Sequence, residues 1–397
     1  MKALSAASLV AAAGPLSASP SPAARRHLVA GLEAWKLPVN HRGDWLVLRL
    51  RTESGLTGIG DASHGGTDAK TVAYLRRFAE LLRGRSIFEV EAFRQAVAPI
   101  LAQEPGASAI VAASALEHCL WDLMGKALGV PTHDLLGGAV HARIPLYANI
   151  NRSTLPRTAD AFAAMAARAV GEGFSAVKLA PFDEMPADVS RTNDVTPLID
   201  QGVARAEAVR AAIGPKRRLL LDAHSRFTGA EGLALASRLE PLDLYWLEEV
   251  TPAEPIEPLA AINRAARMPT AGGESVRGVA GSYPYIRAGA VDIVMPDVKI
   301  CGGMLELKKI AALAEAAGLA VSPHGPASPV GNLAAAQVAA TLPNFTILEH
   351  SFGEVPWRAE LITPFETLDR GAMVLATAPG FGAALNPQAL AKYGSPI

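Results

Sequence analysis

Between Leu28 and Ala62 apolar and polar residues alternate, and the stretch WLVLRLRTESGLTGIGDA reverses at Glu53-Ser-Gly55. A period of two broken by a Ser-Gly turn predicts an antiparallel hairpin. The period then lengthens. Apolar residues return at helical spacing over Asp68–Leu82, Ile87–Leu101 and Ser108–Leu128, and the last stretch stops at Gly129-Val-Pro131. Gly followed by Pro ends a helix, because Gly accepts the left-handed cap and Pro cannot continue the ladder. Residues 28–142 therefore read as a small α+β module.

From Arg143 the rhythm changes again. Eight short apolar runs follow: IPLYANI, FSAVKLAP, RLLLDAHS, LYWLEEV, PTAGGES, VDIVMPDVK, AVSPHG and TILEHS, most of them separated by amphipathic or Ala-rich helical stretches. After the longer second unit they recur about every 25 residues, the length of a strand, a helix and two connections. Eight such units predict a (β/α)8 barrel over 143–375, with 376–397 left as a C-terminal segment.

The ends of these runs carry the chemistry. Seven of the eight finish in an ionisable residue: Lys178, Asp222 with His224, Glu248, Glu274, Asp297, His324 and Glu349. In a barrel all the C-terminal strand ends meet at one rim, where active sites are built. One acid at a strand end is usually a turn or cap residue, but seven such positions exceed what capping explains. Asp222, Glu248 and Glu274 end three successive strands, and three converging carboxylates cannot all stay ionised without a cation. Hard oxygen donors with no Cys among them suit Mg2+. Strand alternation turns Glu249 to the opposite face from Glu248.

Asp297 and His324 end the next two strands, where a carboxylate orients an imidazole and makes it a better base. Asp222 and His224 share a face, so His224 stands beside the metal as an acid or base from another direction. Lys178 can neutralise negative charge on a substrate, and Glu349 closes the ring near His324. A metal that holds a substrate carboxylate while a base removes the neighbouring proton gives an enediolate. A second His that protonates a β-hydroxyl would turn that step into a dehydration.

Composition mainly excludes. The chain has 397 residues and a formal net charge of −1, so neither nucleic acid nor a membrane surface is an expected partner. A small-molecule carboxylate is. No later segment approaches the ~20 apolar residues of a membrane helix. Cys119 and Cys301 form no CxxC pair for zinc, and a zinc hydrolase barrel would want His-x-His where LYANIN offers Asn. The opening MKALSAASLVAAAGPLSASPSPAARR is loosely like a secretory signal, but it has one early Lys and an Ala-diluted apolar run. Residues 1–27 are read as a tail and the chain as cytoplasmic, with a periplasmic location as the alternative if the segment is a signal.

As a set, these motifs resemble the enolase superfamily in its mandelate racemase-like branch, from roughly residue 28 to the end. WDLMGKALGVPTHDLLGG, residues 121–138, is similar to the segment that leads into the family's barrel. The resemblance implies that Asp222, Glu248 and Glu274 are Mg2+ ligands. It implies that Asp297 in MPDVKICGG and His324 in SPHGP form the family's dyad, and that Glu349 in ILEH is the eighth-strand Glu. It further implies a modified TIM barrel whose mouth is covered by the N-terminal module. Loops around Leu37–Trp45 and Ser63–Thr67 would choose the substrate, and the tail after Ala376 would return to pack on the cap. Trp45, His64 and Trp357 are candidate wall residues. A dimer or octamer is the assembly the resemblance suggests.

One departure narrows the chemistry. Many members carry Lys-x-Lys on the second strand, but AVKLAP has Ala180 at the second position and Lys178 only at the first. Galactonate dehydratase-type members also lack that Lys and carry Asp-x-His on the third strand, as Asp222-Ala-His224 does. Carried over, His324 abstracts the α-proton and His224 assists loss of the β-hydroxyl. The expectation is a Mg2+-dependent dehydratase of an aldonic or aldaric acid that yields a 2-keto-3-deoxy acid. A racemase, epimerase or lactone cycloisomerase working through the same enediolate, and a non-catalytic binding protein, are the alternatives. EEV at 248–250, where Pro often follows the acid pair, changes no ligand.

Overall fold

The computed structural model describes residues 26–41, 43–64 and 68–397, so most of the tail and part of the Ser63–Thr67 loop lie outside the described residues. Three strands open it, β1 (Val29–Asn40), β2 (Gly43–Thr52) and β3 (Thr57–Asp61). The reversal at Glu53–Gly55 joins β2 to β3, with Gly55 N donating to Thr52 O at 3.1 Å. An earlier reversal pairs Leu37 with Trp45, so most of the segment expected as a substrate loop is hairpin.

Helices α1 (Asp68–Leu82), α2 (Val90–Leu101) and α3 (Ala107–Leu128) follow, then the single turn α4 (Thr132–Leu135). The expected helix from Ile87 begins three residues later. Ser86 Oγ accepts from Phe88 N, Ile87 N donates to His27 O, and the Ile87 side chain drops into the cap core. Helix α3 is buried along nearly its whole length. It lies directly on β3, where a Cβ on Gly58 or Gly60 would stand 2.3 or 2.1 Å from the carbonyl oxygen of Cys119 or Ala115. Only Gly permits that approach.

The barrel alternates strand and helix: β4 (Arg143–Asn149), α5 (Ala159–Gly171), β5 (Ala176–Leu179), α6 (Thr196–Ile213), β6 (Arg218–Asp222) and α7 (Gly229–Leu239). It continues with β7 (Trp246–Glu248), α8 (Ile256–Ala265), β8 (Thr270–Gly272), α9 (Gly278–Arg287), β9 (Ile293–Val294), α10 (Met304–Ala316), β10 (Ala320–Val321), α11 (Pro329–Ala339) and β11 (Leu348–Ser351). Strands β4 to β10 are parallel neighbours in order, and β11 pairs with β4. A bridge from Val321 to Phe345 completes the ring.

Alternation explains which residues reach the axis. In β6, Leu219 and Leu221 pack with the helical layer, whereas Leu220 joins Tyr147, Trp246 and Met295 inside the barrel. Asp222 has the parity of Leu220 and so ends on the inner face. Both faces of these strands are apolar, which is why each run reads as continuous rather than alternating.

Helix α12 (Pro387–Tyr393) then crosses to the cap, and Ser395–Pro396 pair antiparallel with Trp35–Lys36 of β1. Buried carboxylates fasten the two layers. Asp61 accepts from Ser328 N and Oγ ahead of α11, and Asp122 accepts from Ile59 N and Phe381 N. Glu117 of α3 accepts from Met304 N at 2.6 Å and Leu305 N at 3.2 Å, where the first-turn amides of α10 favour an anion.

Gly303, at φ +100, makes that last contact possible, since a Cβ there would lie 1.6 Å from Glu117 Oε2. Gly303→Ala is therefore expected to destabilise the fold by roughly 2–5 kcal/mol, the sum of overpacking and backbone strain. Urea unfolding of the two proteins checks it. Both cysteines are buried free thiols. Among the described residues no helix is long and apolar enough to cross a membrane.

Candidate active site

The strand ends converge beneath the cap. Asp222 and Glu248 are register partners on β6 and β7, and Glu274 follows β8 by two residues. Carboxylate oxygens of the three lie within 4.8 Å of one another. Glu249 is not part of this set. The strand stops at Glu248, Glu249 turns to φ +45, and its carboxylate accepts from Ser225 Oγ and Gly273 N.

Lys178 lies under the triad, almost completely buried. Its Nζ is 2.6 Å from Glu248, 3.4 Å from Asp222 and 3.5 Å from Glu349. Burial works against the ammonium charge, but Glu248 and Glu349 outweigh it and hold the pKa well above the usual lysine value. Glu349 is fixed from both sides by Asn149 Nδ2 at 2.5 Å and Gly325 N at 2.9 Å.

Two imidazoles flank the acids. His324 Nδ1 donates to Asp297 Oδ2 at 2.9 Å, which leaves Nε2 3.2 Å from Glu274 Oε2 and 3.8 Å from Glu349 Oε2. Burial disfavours its cation, but Glu274 and Glu349, together with Asp297, raise its pKa to about 9. His224 stands at the other end, with Nε2 3.1 Å from Asp222 Oδ2 and Nδ1 hydrogen-bonded to Asp183.

Of these groups, Lys178, Asp222, Glu274, Asp297 and both imidazoles line a cavity of about 260 Å³ together with His64, Asn149, Asn151, Arg152 and Lys299. His64 reaches in from the cap and accepts from Arg152 Nη1 at 3.2 Å. Burial and the Arg152 charge push its pKa down to about 2, so it is a neutral acceptor.

Trp45 and Trp357 do not line this cavity. Trp45 is fully buried and meets Trp357 edge-on at 5.4 Å, and Trp357 stacks on Tyr393 of α12 at 4.3 Å. Strand alternation sends Trp45 into the seam between cap, barrel and C-terminal helix, where large rings serve as packing.

The sequence comparisons decide the family. Residues 37–137 match the mandelate racemase/muconate lactonizing enzyme N-terminal domain, and residues 161–389 match the enolase C-terminal domain-like family. The chain belongs to the enolase superfamily. Several relatives are named as sugar-acid dehydratases. A D-xylonate dehydratase of Haloferax volcanii is 32% identical over 88% of this chain and 85% of its own. A D-gluconate dehydratase of Thermoproteus tenax is 30% identical over 88% of this chain and 69% of its own. Among solved structures, a mandelate racemase/muconate lactonizing enzyme-like protein from Rubrobacter xylanophilus has a TM-score of 0.86 at 30% identity, covering 93% of this chain and 98% of that one.

Membership of the enolase superfamily implies a divalent metal, and the donors here fit one. Glu274 Oε2 is buried without a hydrogen bond, although His324 Nε2 is near, and the triad offers only hard carboxylate oxygens. Such an orphaned acceptor costs free energy unless a cation takes it up.

The sequence did not single out Asp183, Asn151, Arg152 or Lys299. Asn151-Arg152 and Lys299 lie just past strand ends already chosen, in LYANINR and MPDVK, so polarity beyond each end was the available signal. Asp183 follows a Pro-Phe loop with no periodic pattern to mark it.

Proposed function

We propose that this protein removes water from a sugar acid, aldonic or aldaric, with Mg2+ as cofactor, to give a 2-keto-3-deoxy acid. One observation carries the proposal. An imidazole stands at each end of the acid triad, His324 Nε2 against Glu274 and His224 Nε2 against Asp222, and both residues line the cavity. That arrangement supplies one base and one acid to neighbouring carbons of a single substrate.

A divalent cation held by Asp222, Glu248 and Glu274 would supply positive charge where the substrate carboxylate gathers negative charge. The chain does the rest. His324 Nε2, its ring fixed through Asp297, takes the α-proton in its neutral form, which a cation on Glu274 would favour by offsetting that carboxylate's hold on the imidazole's proton. Lys178 keeps a buried positive charge beneath the site as the enediolate forms. His224 Nε2 gives a proton to the β-hydroxyl; the Cβ–O bond breaks, its electron pair stays with the oxygen, and the hydroxyl departs as water. The enol left behind takes up a proton at the β-carbon and becomes the keto acid. Ala180, buried where a second-strand base would stand, offers none. The sugar-acid dehydratases among the relatives support the same reading.

The test is a panel of aldonic and aldaric acids incubated with the purified protein and Mg2+, read by 2-keto-acid formation and mass spectrometry. At least one acid is expected to lose the mass of one water. Chelation should stop the reaction and Mg2+ restore it. Exchange of the α-hydrogen with unchanged mass for every acid would overturn dehydration in favour of isomerisation.

A further inference from the structure

We infer that Asp183 is a positioning residue that aims His224 as the proton donor, forming a second carboxylate–imidazole pair opposite Asp297–His324. The inference rests on the proposed role of His224 as the acid that assists departure of the β-hydroxyl.

The two pairs are built alike. Asp297 follows β9 and holds Nδ1 of the His that follows β10. Asp183 follows β5 and holds Nδ1 of the His that follows β6. In both cases the carboxylate comes from one barrel unit, the imidazole from the next, and Nε2 is left within 3.2 Å of a triad oxygen. An imidazole whose Nδ1–H is bound to a carboxylate can exchange a proton with substrate only through Nε2. Asp183 therefore decides which nitrogen faces the leaving group.

The loop that carries Asp183 is fastened for this. Phe182 is buried edge-on to Phe227 at 5.0 Å, Arg157 Nη2 donates to Ala180 O at 2.7 Å, and Arg205 Nη1 donates to Pro181 O at 2.7 Å. Asn151 Nδ2 donates to Asp183 Oδ2 at 2.9 Å, and Arg157 lies 3.4 Å from the same oxygen. A residue that merely tied loops together would need only Oδ2. Oδ1 points at the imidazole.

His224 is set from its own side as well. His224 and Ser225 are consecutive non-glycine residues in the left-handed region, at φ +46 and +56, a conformation such residues disfavour. Asp222 Oδ1 accepts from His224 N at 2.9 Å, and Glu249 holds Ser225 through its backbone oxygen and its carboxylate. Backbone strain and a carboxylate thus fix the same ring.

The experiment is Asp183→Asn, with three readouts. Dehydration of the substrate found in the panel should fall on the order of 10²-fold or more, as when an acid–base group loses its aim. Exchange of the α-hydrogen with deuterium in recovered substrate, which needs only His324, should be at least as fast as in the wild type. An analogue with fluorine at the β-carbon loses fluoride without needing a proton, so Asp183→Asn should release fluoride at the wild-type rate. Wild-type dehydration in the variant would overturn the inference. So would a parallel fall in all three readouts, which a merely structural role predicts. A wild-type protein that exchanges the α-hydrogen of these acids but dehydrates none of them removes the reading of the reaction itself, a separate failure.

Discussion

His324→Asn is expected to lower turnover by about 10²–10⁴-fold, the usual contribution of a positioned base. Exchange of the α-hydrogen should fall with it, because in the proposed mechanism both need the same Nε2. The fold should survive. Asn can still donate to Asp297, so that buried carboxylate is not stranded, and the imidazole removed is not among the barrel's apolar interior residues. Deuterium exchange and keto-acid formation, measured on the same sample with circular dichroism as the control, give the answer. Retained exchange with lost dehydration would place the base elsewhere and assign His324 to the later step. The contrast with Asp183→Asn, which should leave exchange intact, separates the two imidazoles by function.

Lys178→Met is expected to damage the protein twice. The ammonium sits among Glu248, Asp222 and Glu349, and removing it leaves buried carboxylates without their cation. Breaking a buried pair in this way costs about 3–5 kcal/mol. The loss should be largest in metal-free protein, because a divalent cation on Asp222 and Glu248 replaces part of the missing charge. Mg2+ should therefore raise the urea midpoint more in Lys178→Met than in the wild type, by ligand linkage. Equal shifts in both proteins would mean that the lysine and the metal do not share these carboxylates. Turnover should also fall by about 10²-fold or more, since the proposed enediolate would develop without the buried positive charge beneath it.

Much of this site was legible because a barrel converts sequence position into spatial position. Once eight runs are recognised as parallel strands, the residue ending each run is placed at the rim whatever the intervening helix does. Lys178, Asp222, Glu248, Asp297, His324 and Glu349 needed nothing more. The wall residues were harder for the same reason in reverse. Trp45 and Trp357 are large and near the mouth in sequence, but a strand's alternation and a helix's return decide which way a ring points. Neither periodicity reports contact with α12, whose Tyr393 lies 36 residues beyond Trp357 in the chain. The start of α2 was misplaced because Ile87 fits the helical spacing while a Ser86-centred turn satisfies the backbone first. Asp183 was hidden because loop geometry depends on Arg157 and Phe227, which are distant in sequence.

The return of the chain through α12 and Ser395–Pro396 to β1 bears on how such proteins can be taken apart. The cap is assembled from two separate stretches of polypeptide, with the barrel threaded between them. A cut near residue 142 would not yield two modules. The front piece would lack an edge strand, and the back piece would carry a helix and a strand with nothing to pair against. Chimaeras that exchange caps between relatives would have to transplant residues 376–397 together with residues 28–142. A library that shuffles only the front piece would mostly sample mismatched seams rather than new specificities.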